Sequence, residues 1–296
     1  MLMAGQLSER SGMAAPLASH AVFRRLAGGF DHLTEGQFGR WVTTARQEEI
    51  SERFTAPAVM VLHDVVCGEV ALKEWGPPAA VAGYSLGFYA AAVLARCLSS
   101  LAVLGWLTRV NAINAQRFPP GEFALASCTG LPAAELERLL DEWGLAGLRI
   151  SAFNNPRQVV VAGPASEVRD ALARLKGVAL DAKEVPLDVP LHTNYMEETR
   201  GAMTAWWSLV PASSPIFPLL SPVTGEILTG GAAFKQHMFA SLAVPTDWTS
   251  VARSLERLGI RWALDASPGG ELGRMTRWTY RDLRVMPISA LVEGQG

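Results

Sequence analysis

A serine between two glycines, in Gly83-Tyr84-Ser85-Leu86-Gly87, is the segment of this chain best suited to chemistry. It follows the apolar, strand-like run 79–82 and precedes the helix-like run 88–96. A strand, Gly-x-Ser-x-Gly and a helix in this order form a nucleophile elbow, in which the serine hydroxyl stands clear of a sharply turned backbone. The free N–H groups at the start of the helix can stabilise an oxyanion. The alternative is an ordinary strand-to-helix turn that uses glycine for its shape.

A serine hydroxyl becomes a good nucleophile only when a base takes its proton. His192 is the best candidate, because it follows the strand-like run 185–189 in a loop whose side chain can reach a sheet edge. We interpret the other histidines as surface, capping or packing residues of predicted helices: His20, His32, His63 and His237. No histidine follows Asp265, so the Ser-Asp-His order of an α/β-hydrolase is hard to assemble. A Ser85–His192 dyad, with a carbonyl orienting the imidazole, fits better.

The elements around these residues indicate an α/β fold with an insertion. Helices and strands alternate in the outer segments, which is typical of a parallel sheet covered by helices on both faces. Residues 119–188 read β-α-β-β-α-β, the ferredoxin-like order. We therefore predict a discontinuous α/β-hydrolase-like core, residues 1–118 and 189–296, and a ferredoxin-like α+β subdomain at 119–188.

Composition excludes several classes of protein. The chain has 296 residues, of which 49% are hydrophobic and 18% charged, with a net charge of −2, so no global field recruits nucleic acid. The three cysteines, Cys67, Cys97 and Cys128, lack metal-binding spacing and indicate reduced thiols in the cytoplasm. No signal peptide is visible, and no uninterrupted apolar run approaches the ~18 residues of a membrane span. We expect no membrane and no metal.

Several motifs together resemble the malonyl-CoA:acyl carrier protein acyltransferases that load fatty acid and polyketide synthases. Residues 83–87 match the family's Gly-His-Ser-x-Gly elbow, and 185–192 match a segment ending in Phe-His-Ser. Residues 154–163, Asn-Asn-Pro-Arg-Gln-Val-Val-Val-Ala-Gly, resemble Asn-Ser-Pro-Gly-Gln-Val-Val-Ile-Ala-Gly. Later landmarks fall at 222–225, 245–248 and 267–269, so the resemblance covers nearly the whole chain.

The resemblance implies roles for the catalytic residues. Ser85 would attack the thioester carbonyl of malonyl-CoA, and His192 would take its proton and pass it to the departing thiolate. The N–H groups of Gln6 and Leu86 would form the oxyanion hole. The backbone carbonyl of Ser241 would orient His192.

The resemblance also implies how the acyl group is recognised. Arg109 would pair with the free carboxylate of malonate through two parallel hydrogen bonds. The alternative for Arg109 is a solvated helix arginine. Tyr84 stands where the family has histidine, and Leu191 where it has phenylalanine; both would line the acyl pocket.

The implied activity is ping-pong transfer of a malonyl group to the phosphopantetheine thiol of an acyl carrier protein, with CoA as a substrate and no bound cofactor. One related branch serves malonate decarboxylases and another serves polyketide synthases in trans, so other subunits of such complexes are candidate partners. Two alternatives stay open: an acyl hydrolase of the same fold that clears acyl carriers, and a non-catalytic docking subunit. The arginines 274, 277, 281 and 284 could steer an acidic carrier, or could form a solvated face.

Overall fold

The computed structural model describes residues 1–52 and 55–288. Its helices are α1 Ala21–Leu33, α2 Phe38–Thr43, α3 Gln47–Ile50, α4 Thr55–Trp75, α5 Gly87–Leu94, α6 Ser100–Arg117, α7 Ala133–Glu142, α8 Ala165–Leu175, α9 Glu197–Leu209, α10 Gly231–Ala240, α11 Trp248–Arg257 and α12 Glu271–Arg277. Its strands are β1 Leu2–Met3, β2 Ala82–Gly83, β3 Phe123–Thr129, β4 Arg149–Asn155, β5 Gln158–Pro164, β6 Asp181–Val185, β7 Leu219–Leu220, β8 Ile227–Leu228, β9 Thr246–Asp247, β10 Trp262–Asp265 and β11 Arg284–Pro287.

A parallel sheet of order β11-β10-β1-β2 lies at the centre of the larger part of the molecule. Leu2 of β1 pairs with Ala82 on one side and Asp265 on the other, so three carboxyl ends of strands meet at one edge. The short apolar strands are buried on both faces, as parallel strands covered by helices are. This architecture confirms the predicted α/β class.

A second sheet, of order β6-β3-β5-β4-β9, is built mainly from residues 123–185. Its first four strands are antiparallel neighbours in the ferredoxin-like arrangement. Helices α7 and α8 cover one face with an apolar cluster that includes Leu136, Val161 and Val168. Strand β9, from a later part of the chain, pairs in parallel with β4 and joins this sheet to the core. The division into domains at 119 and 188 stays a prediction.

The long helix α4 is apolar and mostly buried. It is 21 residues long, and its most apolar window has a mean hydropathy of 1.4, so by length and composition it could cross a membrane. In this fold 78% of that window is buried, and the helix packs against α1 and α5. A place at the centre of the core accounts for its apolar character without a membrane.

Candidate active site

The Gly-x-Ser-x-Gly segment forms a sharp turn between β2 and α5. Ser85 has φ of 49°, in the left-handed region that few non-glycine residues adopt. A Cβ atom on Gly83 would lie 2.2 Å from the Gly87 carbonyl, and one on Gly87 would lie 2.2 Å from the Met3 carbonyl oxygen. Glycine at both positions therefore lets the turn close on itself and approach β1. The turn presents the Ser85 hydroxyl at the carboxyl edge of the parallel sheet.

His192 contacts the nucleophile directly. Its Nε2 lies 2.6 Å from Ser85 Oγ, and its Nδ1 lies 2.6 Å from the backbone carbonyl oxygen of Ser241. An Nδ1–H that donates to this carbonyl leaves the Nε2 lone pair free to accept the Ser85 proton. His192 also has a left-handed φ of 60°, and its N–H donates to the carbonyl of Leu242. Two backbone segments thus fix the imidazole without a carboxylate.

The environment keeps the His192 imidazole neutral. Burial lowers its pKa below the usual 6.5, against a smaller opposing effect of the hydrogen bond to Ser241. A neutral imidazole at pH 7 is the form that can act as a general base. The structure therefore gives this dyad both the geometry and the protonation state for activating a serine.

Gln6 and Leu86 border the same cavity as Ser85. Within residues 1–52 and 55–288, neither backbone N–H is bonded to an acceptor. Leu86 directly precedes α5, so its N–H belongs to the unsatisfied group at a helix start. Both N–H groups are therefore candidate donors to an oxyanion formed beside Ser85.

Two small cavities meet at Ser85 and His192. The helix-side cavity, of about 60 Å³, is bordered by Pro57, Leu86, Tyr89, Trp106, Leu107, Val110, Asn111, Asn114 and Leu242. The sheet-side cavity, of about 90 Å³, is bordered by Leu7, Tyr84, Leu125, Ser151, Ala152, Val160, Val185 and Leu187. Gln6 and Leu191 border both. Leu191 therefore contributes to the walls of two mainly apolar cavities beside one nucleophile.

Tyr84 connects the core to the inserted sheet. Its hydroxyl donates to Asn154 Oδ1 at 2.6 Å, and its ring meets Trp248 edge-on, with centroids 5.8 Å apart. Burial raises the pKa of Tyr84, so the phenol stays protonated. Tyr84 thus borders the sheet-side cavity as a neutral side chain, fixed by its contacts with Asn154 and Trp248.

The structure does not bring Arg109 to the site. Its side chain is exposed, Nη1 donates to the Gly105 carbonyl at 3.1 Å, and the guanidinium carbon lies 4.5 Å from the centre of the Trp206 ring. It borders neither cavity beside Ser85. The reason is helical phase: the face of α6 that meets the cavity carries residues 106, 107, 110, 111 and 114, and position 109 points to another side. The carboxylate-clamp role expected for Arg109 is not supported by this placement.

Sequence reasoning missed two groups of residues near the site. Trp106 and Val110 form much of the cavity wall, and their i, i+4 spacing on a predicted helix was the signal available. Asp64 accepts a short hydrogen bond from the Ala4 N–H, two residues before Gln6. A buried acidic residue in an apolar helix was its only sequence signal. In the described ranges, no cluster of three or more His, Cys, Asp and Glu side chains is placed to hold a metal.

The fold, with Ser85 and His192 in contact at the carboxyl edge of its parallel sheet, is that of an acyl-transfer enzyme with an α/β core. The acyl transferase domain family model matches residues 2–289, and the chain belongs to this family of acyltransferases. It is 23% identical over 295 residues to the malonyl CoA-acyl carrier protein transacylase of Bacillus subtilis, covering 97% of this chain and 92% of that protein.

Solved structures of related proteins share the fold over the full length. The malonyl CoA-acyl carrier protein transacylase of Coxiella burnetii superposes with a TM-score of 0.91 at 22% identity, covering 100% of this chain and 95% of that one. A malonyl-transacylase in complex with a type II polyketide synthase acyl carrier protein superposes with a TM-score of 0.92 at 23% identity, covering 99% and 97%. These likenesses show the fold of this chain.

Proposed function

We propose that this acyltransferase moves an acyl group from a CoA thioester to the phosphopantetheine thiol of an acyl carrier protein, through an ester on Ser85. The observation that carries the proposal is the chain of contacts from Ser85 Oγ to His192 Nε2 and from His192 Nδ1 to the Ser241 carbonyl, each 2.6 Å long. Relatives named as malonyl transacylases make malonyl-CoA the donor that family membership predicts. A solved structure of a similar malonyl-transacylase in complex with its acyl carrier protein supports a carrier as acceptor.

The residues act in two half-reactions. In the first, Ser85 Oγ attacks the thioester carbonyl carbon while its proton moves to His192 Nε2. The oxyanion is held by the N–H groups of Gln6 and Leu86; the C–S bond then breaks, and His192 returns the proton to the CoA thiolate. In the second, the carrier thiol gives its proton to His192 and attacks the ester carbonyl carbon; the C–O bond to Ser85 then breaks, and His192 returns the proton to Ser85 Oγ. No metal or bound cofactor takes part, and the cytoplasm, where CoA thioesters and carriers meet, is the proposed location.

Intact-protein mass spectrometry tests the first half-reaction. We expect brief incubation with a CoA thioester to add one acyl group to the wild-type chain and none to Ser85→Ala. Addition of a holo carrier protein should remove the acyl group from the enzyme and place it on the carrier. Parallel lines are expected in steady-state kinetics, since the two substrates react in turn. Intersecting lines would instead indicate a ternary complex and would contradict the proposal.

A second candidate function is hydrolysis of acyl carriers by the same dyad. A carboxylate clamp at Arg109 would argue against a hydrolase, because an enzyme that clears many kinds of acyl group has little use for one. The Arg109 side chain lies away from both cavities, so this argument against the hydrolase is weakened. Free acid released from an acyl carrier without CoA present would indicate the hydrolase. Acyl transfer to the carrier that outpaces release of free acid would indicate the transferase.

A non-catalytic docking subunit would share the fold without using the dyad. A serine-directed fluorophosphonate distinguishes this case, because it requires an activated nucleophile. Labelling of the wild-type chain and not of Ser85→Ala would exclude the docking subunit.

A further inference from the structure

The helix-side cavity has a wall whose composition bears on the acyl group. Helix α6 contributes Trp106, Leu107 and Val110, all buried, and Tyr89 of α5 faces the same space. Asn111 and Asn114 add side-chain amide groups to this helix face. The Asn114 side-chain oxygen Oδ1 already accepts a hydrogen bond from the Thr199 hydroxyl at 2.9 Å. The wall next to the nucleophile is therefore mostly aromatic and aliphatic, with the Asn111 amide and the Trp106 Nε1–H, which has no acceptor among the described residues, as its neutral donors.

Neither cavity contains a cation that could meet a carboxylate. No lysine or arginine is found among the described residues that border the helix-side or the sheet-side cavity. The remaining titratable groups there are Tyr84, Tyr89 and His192. Burial keeps both phenols protonated and the imidazole neutral. The net charge of the side chains that border the two cavities is thus close to zero in the resting enzyme.

A malonyl group carries a carboxylate at the end opposite to the thioester. Removing that carboxylate from water is strongly unfavourable unless a cation or several donors replace its hydration. An uncharged acyl chain has no such cost, and it gains by covering apolar surface such as that of Trp106 and Val110. A site without a cation therefore favours binding of an uncharged acyl group over binding of a malonyl group.

We propose that the acyl site of this chain selects uncharged acyl groups over malonyl, with Trp106 and Val110 as specificity-determining residues. The inference rests on the proposed function, since it concerns the acyl group that Ser85 accepts. It distinguishes this chain from the relatives whose names specify malonyl transfer.

The test compares donors at equal concentration. Acetyl-CoA, butyryl-CoA and malonyl-CoA are each mixed with the full chain, and acylation of Ser85 is followed by intact mass while released CoA is measured in parallel. We expect at least one uncharged donor to react at least ~10-fold faster than malonyl-CoA. A wild-type chain that prefers malonyl-CoA would overturn the inference and leave the proposed function standing.

Two variants locate the source of selectivity. Val110→Arg places a guanidinium in the cavity wall and should raise the malonyl rate relative to butyryl at least ~10-fold, whereas the matched control Val110→Leu should not. Arg109→Ala should leave the donor preference unchanged. If Arg109→Ala instead lowered the malonyl rate ~10-fold, the exposed arginine would be the clamp and the inference would fail. If none of the three donors acylated the chain or released CoA, both the proposed function and this inference would be overturned.

Discussion

Two residues at the site hold uncommon backbone conformations, and both are the proposed catalytic residues. Ser85 and His192 each have positive φ, at 49° and 60°, and their side chains meet at 2.6 Å. Such conformations cost of order 1–3 kcal/mol each and persist only where the surrounding structure enforces them. Here the close approach of Gly83 and Gly87 enforces the first, and the bonds of His192 to Leu242 and Ser241 enforce the second.

The lowered pKa of His192 sets the pH dependence of acylation. The imidazole must be neutral to accept the Ser85 proton, so kcat/KM should fall as pH drops through a value below 6.5 and should be level from about pH 7 to 8. Stopped-flow measurement of CoA release across this range gives the profile. Tryptophan fluorescence over the same range serves as the control for unfolding. An acid limb centred above pH 7 would contradict the neutral, buried imidazole.

At the scale of elements, α4 holds the start of the loop that carries Gln6, a proposed oxyanion donor. Asp64 lies fully buried in this helix, and its carboxylate accepts from the Ala4 N–H at the end of β1. Burial raises the pKa of Asp64 to about 6, although hydrogen bonding to His63 lowers it. Gln6 follows two residues after Ala4, so the helix fixes the start of the segment on which the Gln6 N–H depends.

Asp64→Ala should therefore weaken both stability and turnover. Loss of the acceptor leaves the Ala4 N–H unpaired, which costs about 1–3 kcal/mol in the free energy of unfolding. Displacement of Gln6 should lower kcat by up to ~10² with little change in KM, since a complete loss of one oxyanion donor costs ~10²–10³. Urea unfolding and steady-state kinetics measure the two effects.

Two further variants separate positioning from general destabilisation. Asp64→Asn keeps an acceptor oxygen and should restore much of kcat. Glu69→Ala, on the same helix, loses only an ion pair with the half-exposed Arg96 and should change stability by less than about 1 kcal/mol. A kcat for Asp64→Ala equal to that of the wild type would remove the positioning role.

At the scale of the whole molecule, the polarity of the parallel sheet separates the nucleophile from a basic groove. Ser85 follows the carboxyl end of β2, whereas Arg284 is the first residue of β11 and pairs with Trp262, the first residue of β10. The groove of about 780 Å³ beside them is also bordered by Arg261, Arg277 and Arg281. It therefore opens at the amino edge of the sheet, opposite the active site.

Charge reversal in this groove should not change the KM for the carrier protein. We expect Arg281→Glu combined with Arg284→Glu to leave the KM for a holo carrier protein within about twofold of the wild-type value, because the groove and Ser85 lie at opposite edges. Kinetics with a CoA thioester alone provide the control for folding. A KM for the carrier raised ~10-fold or more, with unchanged acylation by CoA thioesters, would instead place carrier docking at these arginines.

The sequence by itself was sufficient for the α/β class and for the candidate nucleophile, base and oxyanion segment. Those features depend on local order along the chain: a strand, a glycine-flanked serine and a helix, and a histidine in the loop that follows a strand. The contact between Ser85 and His192, and the Ser241 carbonyl behind it, join positions 107 and 49 residues apart and exist only in the folded chain.

Only the tertiary structure decided which side chains border the cavities beside Ser85. Arg109 and Val110 are adjacent in sequence, so a motif comparison can place the arginine in the pocket. In a helix of 3.6 residues per turn, neighbouring side chains point about 100° apart. That rotation puts the Val110 side chain against the cavity and the Arg109 guanidinium on the Trp206 ring in solvent. The charge of an acyl site therefore depends on the phase of one helix, which only its packing against the nucleophile fixes.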